Sequence, residues 1–93
     1  MIVDFSCKET EKIWSGRYSK KFPADIQESA LRKLRQLDAA LTLDDLRNPP
    51  CNNLEALKGD RVGQMSIRIN QKWRICYSWE EGKAWDVHIV DYH

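Results

Sequence analysis

Two runs of alternating residues in the middle of the chain constrain its fold more than any other feature. Apolar side chains occupy every second position in residues 65–69 and again in residues 73–79, with mainly polar side chains between them. A period of two sends alternate side chains to opposite faces of a β-strand, so each run is predicted to be a strand with one buried face. Residues 70–72 form a short polar connection between them. The sequence therefore predicts an antiparallel hairpin.

The length of the connection decides the register of this hairpin. A two-residue loop would pair Ile67 with Arg74, which mixes an apolar side chain with a charge on one face. A three-residue loop at 70–72 pairs Ile67 with Ile75, and we prefer it because burial of one face specifies register strongly. In that register Arg68 lies directly opposite Arg74 on the face away from the aromatic core. Like charges placed opposite are normally unfavourable, so this pair suggests a bound anion.

Two helices are expected before the hairpin. Ser6 and Glu9 have the spacing of a capping box, which predicts a first helix that Gly16 ends or kinks. Pro23 begins the second helix, an amphipathic segment of roughly 16–18 residues. Its apolar stripe consists of Ile26, Ala30, Leu34, Leu37 and Leu41.

Further strands complete the domain. Residues 2–5 and 84–92 are rich in β-branched and aromatic side chains, which favour strands. Gly59-Asp60 is a turn signal that separates strand-like residues near 54–57 from the hairpin. The predicted order is β-α-α-β-β-β-β in a single α+β domain, residues 1–93. Its two N-terminal helices pack on one face of a mainly antiparallel sheet.

The cysteines and the hydropathy bear on the compartment. The chain has three cysteines, Cys7, Cys51 and Cys76. Because their number is odd and their spacing is wide, neither a disulfide framework nor a zinc site is expected. No secretory leader and no apolar run of transmembrane length is visible. We therefore expect a cytoplasmic protein that does not contact a membrane.

The charge distribution points to one anionic contact surface. The net charge is only +1, but residues 58–74 carry five Lys or Arg against one Asp. A local basic patch on a nearly neutral chain indicates a specific anionic partner more than general binding to polyanions.

The residues available for chemistry are cations on the sheet and the last three residues. No metal-ligand spacing, Gly-rich phosphate loop or cofactor motif is present. The cations are Lys58, Arg61, Arg68 and Arg74, and the chain closes on Asp91-Tyr92-His93. Arginine binds phosphate oxygens with a planar fork, and histidine transfers protons near neutral pH. This set suits RNA cleavage in which a 2′-hydroxyl attacks the adjacent phosphate. The residues alone also allow solvated surface cations, a terminal histidine without a role and a structural or surface His88.

Four short motifs carry a resemblance to a known family. They are Leu57-Lys58-Gly59-Asp60-Arg61, Ser66-Ile67-Arg68-Ile69-Asn70, Trp73-Arg74-Ile75 and the terminal Asp91-Tyr92-His93. In this order and spacing they resemble the HigB/GraT branch of the RelE toxin superfamily, and the likeness extends over most of the chain. The resemblance implies a RelE-like fold with a curved sheet and a metal-independent endoribonuclease that cleaves mRNA in the ribosomal A site. It also implies a helix-turn-helix, HigA-like antitoxin, and contact with operator DNA only through that antitoxin.

The resemblance also assigns roles to residues. The implied catalytic residues are Asp91, Tyr92, His93 and Arg74, with His93 as general acid or base. The implied RNA- and phosphate-binding residues are Lys58, Arg61, Arg68 and Lys72. The sequence departs from the family pattern at one place, because some relatives have a histidine just before the Leu57–Arg61 motif, where this chain has Glu55 or Ala56. Either Glu55 replaces that histidine as a base, or the site relies on Tyr92 and His93.

Two other interpretations remain open. A ParE-like toxin on the same fold would bind DNA gyrase without enzymatic activity and would need no Asp-Tyr-His cluster. A binding module for RNA or protein would lack toxicity altogether.

Overall fold

A computed structural model describes residues 1–91 and, within them, every side chain except that of Arg61. The chain forms helices α1 (Lys8–Trp14) and α2 (Ala24–Ala39), followed by two short 3₁₀ turns, and a third 3₁₀ turn lies between the first two strands. Four strands follow α2 in the described part: β1 (Glu55–Ala56), β2 (Gln64–Arg68), β3 (Trp73–Glu80) and β4 (Lys83–Asp91). They form one antiparallel sheet in sequence order. The α+β class and the order of the main elements are as predicted.

The register of the β2–β3 hairpin is the predicted one. Ile67 pairs with Ile75, and Arg68 pairs with Arg74. The three-residue loop is closed by a hydrogen bond from Ile69 N to the carbonyl oxygen of Trp73, 2.9 Å long. Since Ile67 and Ile75 are both fully buried, the burial of one face does select this register.

The N-terminal segment pairs less extensively than predicted. Residues 2–5 do not form a named strand, and they contribute only two isolated parallel bridges to β4, Ile2 with Ala84 and Phe5 with Val87. Between these bridges the backbone N–H of Asp86 donates to the Asp4 carboxylate at 2.6 Å. Asp86 also has a positive φ of 63°. The ladder is therefore interrupted because a side chain takes the backbone donor that a strand would have used.

Helix α2 supplies one layer of the core. Four residues of its predicted stripe, Ile26, Ala30, Leu34 and Leu37, are buried in one cluster with apolar residues of β2, β3 and β4. The fifth, Leu41, is 81% exposed, so its assignment to the stripe is wrong. The helix ends at Ala39. The carboxylate of Asp45 accepts hydrogen bonds from the backbone N–H groups of Leu41 and Thr42, which starts a new turn.

The start of α1 also differs from the prediction. The residue before the helix is Cys7, without a side-chain capping bond, so the capping box of Ser6 and Glu9 is wrong. The Ser6 hydroxyl contacts β4 instead, and the Glu9 carboxylate accepts a hydrogen bond from Ser19 Oγ at 2.6 Å. Gly16 follows the helix end with a φ of 82°, a conformation that glycine adopts readily.

Candidate functional site

The sheet face opposite the core carries two of the predicted site residues, Arg68 and Arg74. Ile67, Ile75 and Ile89 point into the core. The residues directly before and after each of them on its strand therefore point to the other face of the sheet. Two cross-strand rows follow from the register. One row contains Glu55, Ser66, Cys76 and His88, and the other contains Arg68, Arg74 and Val90. We call the six residues other than Val90 the polar face.

Arg74 is the best-fixed cation of the polar face. Its side chain is almost completely buried, with 5% of the residue exposed. Its Nε donates to Ser66 Oγ at 2.8 Å, and its Nη2 donates to the carbonyl oxygen of Asn53 at 2.6 Å. A carboxylate oxygen of Glu55 lies 3.9 Å from the same Nη2. Protein acceptors therefore hold this guanidinium in place, and they offset part of the cost of burying its charge.

Arg68 lies opposite Arg74 in register but is bonded elsewhere. Its Nε donates to the carbonyl oxygen of Asn70 at 3.0 Å, which turns the side chain toward the hairpin loop. There it lines a groove with Arg32 and Lys33 of α2. The structure thus confirms the cross-strand arginine pair and gives each guanidinium its own acceptors. The anion between them stays a prediction.

Asp91 and Lys72 form a separate pair at the edge of the hairpin. Their side chains are joined by an ion pair of 3.5 Å between Lys72 Nζ and Asp91 Oδ2. In the register Asp91 pairs with Trp73, whereas Val90 pairs with Arg74. The alternation along β4 therefore assigns Asp91 and Arg74 to opposite faces of the sheet.

The other predicted site residues are placed as follows. Lys58 is exposed and precedes the 3₁₀ turn Gly59–Arg61. The side chain of Arg61 lies outside the described structure, and so do Tyr92 and His93. Glu55 and Ala56, where some relatives have a histidine, form β1. Glu55 is the residue of the two that faces Arg74.

The residues that fix Arg74 are not among those predicted from the sequence. Ser66 is fully buried and is the diagonal cross-strand neighbour of Arg74, so the predicted register already contained this signal. The carbonyl of Asn53 had no such signal, because its position depends on the 3₁₀ turn Pro50–Asn52 and on the left-handed conformation of Asn53 itself.

His88 also belongs to the polar face. Its Nδ1 lies 2.8 Å from the carbonyl oxygen of Asp86 and 3.1 Å from Ser6 Oγ. A carbonyl oxygen only accepts, so Nδ1 carries a proton and donates it to Asp86. The alternation with the inward-facing Val87 and Ile89 could have assigned His88 to this face.

The described residues contain neither a metal site nor a membrane-spanning helix. In residues 1–91, no group of three or more His, Cys, Asp or Glu side chains is arranged to hold a metal ion. None of the helices in that range is long and apolar enough to cross a membrane.

Comparisons with known proteins agree over nearly the whole chain. Residues 4–93 match the model of a family described as RelE-like toxin of type II toxin-antitoxin system HigB. The chain is 34% identical over 90 residues to Toxin HigB-1 of Vibrio cholerae, covering 96% of this chain and 95% of that protein. It is 30% identical to Endoribonuclease HigB of Proteus vulgaris, with 100% of each chain covered.

Two solved structures share the fold. The YoeB-YefM complex from Staphylococcus aureus matches with a TM-score of 0.57 at 20% identity, covering 100% of this chain and 95% of the other. The YoeB dimer from Staphylococcus aureus matches with a TM-score of 0.55 at 18% identity, covering 100% and 93%. At these identities the likeness concerns the fold alone, and it agrees with two helices on a four-stranded antiparallel sheet.

Proposed function

The chain belongs to the RelE-like toxins of type II toxin–antitoxin systems of the HigB type, and from this premise we propose that it is an endoribonuclease that cleaves mRNA in the ribosomal A site. The name of the Proteus vulgaris relative supports the reaction class. The observation that carries the proposal is the buried guanidinium of Arg74, which the protein holds ready on the polar face. A fixed cation of this kind can stabilise charge that develops on a phosphate, without reorganising during the reaction.

The proposed reaction is an internal transfer within the RNA. A base removes the proton of a 2′-hydroxyl, whose oxygen attacks the adjacent phosphorus and forms a 2′,3′-cyclic phosphate. The bond to the leaving 5′-oxygen breaks, and an acid protonates that oxygen. Arg74 stabilises the phosphorane charge between these steps. Electrostatic stabilisation by one such donor contributes about 10²–10³-fold to the rate.

The remaining roles are assigned within this scheme. His93 is proposed as general acid or general base, and Tyr92 as a residue that stacks on a nucleobase of the RNA. Asp91 is proposed as the third member of the terminal cluster. Glu55 is a second candidate for the base, since its carboxylate lies beside Arg74. RNA phosphates outside the scissile bond are assigned to Lys58, Arg61, Arg68 and Lys72.

The family also supplies the proposed partner and compartment. A type II toxin is paired with a protein antitoxin, which we take to be a HigA-like protein with a helix-turn-helix domain. The toxin would then reach operator DNA only through that antitoxin. Cleavage of translated mRNA places the protein in the cytoplasm with the ribosome.

The test is to induce the toxin and map the 5′ ends of mRNA on ribosomes. We expect new ends within translated codons, and we expect His93→Ala and Arg74→Lys to abolish most of them. Arg74→Lys is informative because lysine keeps the charge but lacks the planar fork that bonds Ser66 and Asn53 together. The matched control is Arg35→Gln, which removes an exposed cation from α2.

The outcome decides between the toxin classes. Growth arrest with intact transcripts would contradict the proposal. Induction of the DNA-damage response without mRNA cleavage would support a ParE-like action on gyrase instead. Harmless expression would support a binding module.

A further inference from the structure

We propose that a groove between α2 and the β2–β3 hairpin loop is a second RNA phosphate site, which adjoins the polar face at Arg68. This inference rests on the proposed function, and it names a binding surface that shares only Arg68 with the polar face. The groove has a volume of about 520 Å³. Its polar lining comes mainly from Arg32, Lys33, Gln36, Arg68, Asn70 and Gln71.

The charge of the groove selects an anion. Three cations line it, two from α2 and one from β2, and no Asp or Glu is among the lining residues that the structure describes. The other polar lining groups are amides, a hydroxyl and a thiol, which can donate hydrogen bonds to phosphate oxygens. A concave surface lined by one sign of charge concentrates the opposite charge, so a phosphodiester fits this chemistry.

A buried side chain under the groove fixes the position of Lys33. Its ammonium donates to the side-chain oxygen of Asn52, a residue that is fully buried. The amide nitrogen of Asn52 in turn donates to Gln36 Oε1 and to the carbonyl oxygen of Leu46, both at 3.1 Å. A lysine on a helix surface is ordinarily hydrated by water and needs no hydrogen bond to a buried side chain. The network holds the ammonium at the groove and reduces the side-chain entropy that binding would otherwise remove.

The two arginines of the groove are held more loosely. Arg32 has an ion pair with Glu28 at 3.7 Å, in which both side chains are largely exposed. Such pairs contribute little, so an anionic ligand can replace the carboxylate. The Nε of Arg68 donates to the carbonyl oxygen of Asn70. Because a guanidinium has five N–H donors, the other N–H groups of Arg68 can donate to a phosphate.

Arg68 connects the groove to the candidate catalytic face. Its backbone is paired with that of Arg74, while its side chain lines the groove. An RNA strand whose scissile phosphate contacts Arg74 therefore has the groove beside it, at the hairpin end of the sheet. A phosphate bound there would fix the register of the strand without contacting the reacting atoms.

The test uses the full-length chain and a single-stranded RNA with a 2′-deoxy nucleotide at the cleavage position. We expect the double variant Arg32→Gln, Lys33→Gln to bind this RNA roughly ten-fold more weakly at low salt. We also expect the slope of log affinity against log salt to decrease by about 0.7 for each phosphate that the variant no longer neutralises. Arg35→Gln is the control, because Arg35 is exposed on α2 and does not line the groove.

The source of the phosphate is identified by repeating the measurement on ribosomes. Weaker binding of the double variant to the free oligonucleotide assigns the site to the message strand. Weaker binding only to ribosomes, with the oligonucleotide unaffected, assigns it to ribosomal RNA. Unchanged affinity and salt slope in both assays would overturn the proposal. Loss of antitoxin binding with unchanged RNA binding would also overturn it, and would make the groove a site for an acidic protein segment.

A second measurement, made on the wild-type chain, tests the proposal even when the double variant fails to fold. Cys51 is exposed and lines the groove. The non-cleavable RNA or ribosomes should slow alkylation of Cys51 in the wild-type chain, and a rate that neither of them changes would contradict the proposal. Binding is measured here without cleavage, so an inactive wild-type protein in which RNA protects Cys51 would contradict the proposed function alone.

Discussion

Removing the hydroxyl of Ser66 should destabilise the protein by about 2 kcal/mol through its bond to Arg74. Ser66 is fully buried, and its Oγ accepts from Arg74 Nε at 2.8 Å. A hydrogen bond to a charged group contributes about 1.5–3 kcal/mol, and a buried charged donor left without its acceptor adds to the loss. In a chain of this length a loss of about 2 kcal/mol lowers Tm by roughly 8–16 °C.

The assay is guanidinium and thermal unfolding of the purified Ser66→Ala chain. The midpoint should fall while the slope against denaturant stays constant, since the surface exposed on unfolding is nearly the same. Ser78→Ala is the matched control. Ser78 lies on β3, is half-buried, and pairs with Gln64 rather than with an arginine.

A double-mutant cycle separates the bond to Arg74 from other effects of the substitution. In an Arg74→Met background, Ser66→Ala should have little further effect, because the partner of the hydroxyl is gone. A loss of stability in the Ser66→Ala chain no larger than that of Ser78→Ala would refute the reasoning. So would an equal loss with and without Arg74.

Three further predictions concern the core and the first helix. Leu34→Ala should destabilise the chain by about 2–5 kcal/mol in denaturant unfolding, whereas Leu41→Ala should change it by less than about 0.5 kcal/mol, because Leu34 is fully buried and Leu41 is 81% exposed; equal losses would restore Leu41 to the core stripe. Tyr77→Phe should leave stability unchanged or raise it, since burial raises the pKa of Tyr77 and its fully buried hydroxyl has no hydrogen-bond partner within the described residues; a loss above about 1 kcal/mol would reveal a partner. The Ser19 hydroxyl holds the pKa of Glu9 below its ordinary value, so the stability it provides is present above that ordinary value and is lost as pH falls through the lowered pKa. In Ser19→Ala the Glu9 pKa, followed by NMR titration, should rise, and an unchanged value would contradict the role of the hydroxyl.

The elements that the sequence predicts correctly are those whose causes are local. Alternation over 65–69 and 73–79 needs only neighbouring residues, and it predicts both strands and their register. The buried part of α2 follows in the same way from the spacing of its apolar residues. The four short motifs between residues 57 and 93 predict the family, which the comparisons show.

The two helix ends that differ from the sequence-based expectation do so for different reasons, one a distant partner and the other a local one. The Ser6–Glu9 spacing fits a capping box, but Ser6 and Glu9 instead bond β4 and Ser19. Helix α2 ends before Leu41 because Asp45 accepts hydrogen bonds from the backbone of Leu41 and Thr42. That second signal is readable in the sequence, since Thr42 and Asp45 have the spacing of a helix start.

The pair of like charges across the hairpin shows how a correct register can still give an incomplete inference. Arg68 opposite Arg74 suggests an anion, because two guanidiniums side by side need a compensating partner. The structure provides compensation within the protein, through Ser66 and Asn53 for Arg74 and through Asn70 for Arg68. Neither arginine therefore needs a ligand to stay in place. For a nuclease this arrangement has an advantage, since a guanidinium oriented before the substrate arrives contributes to the transition state without losing free energy to its own ordering.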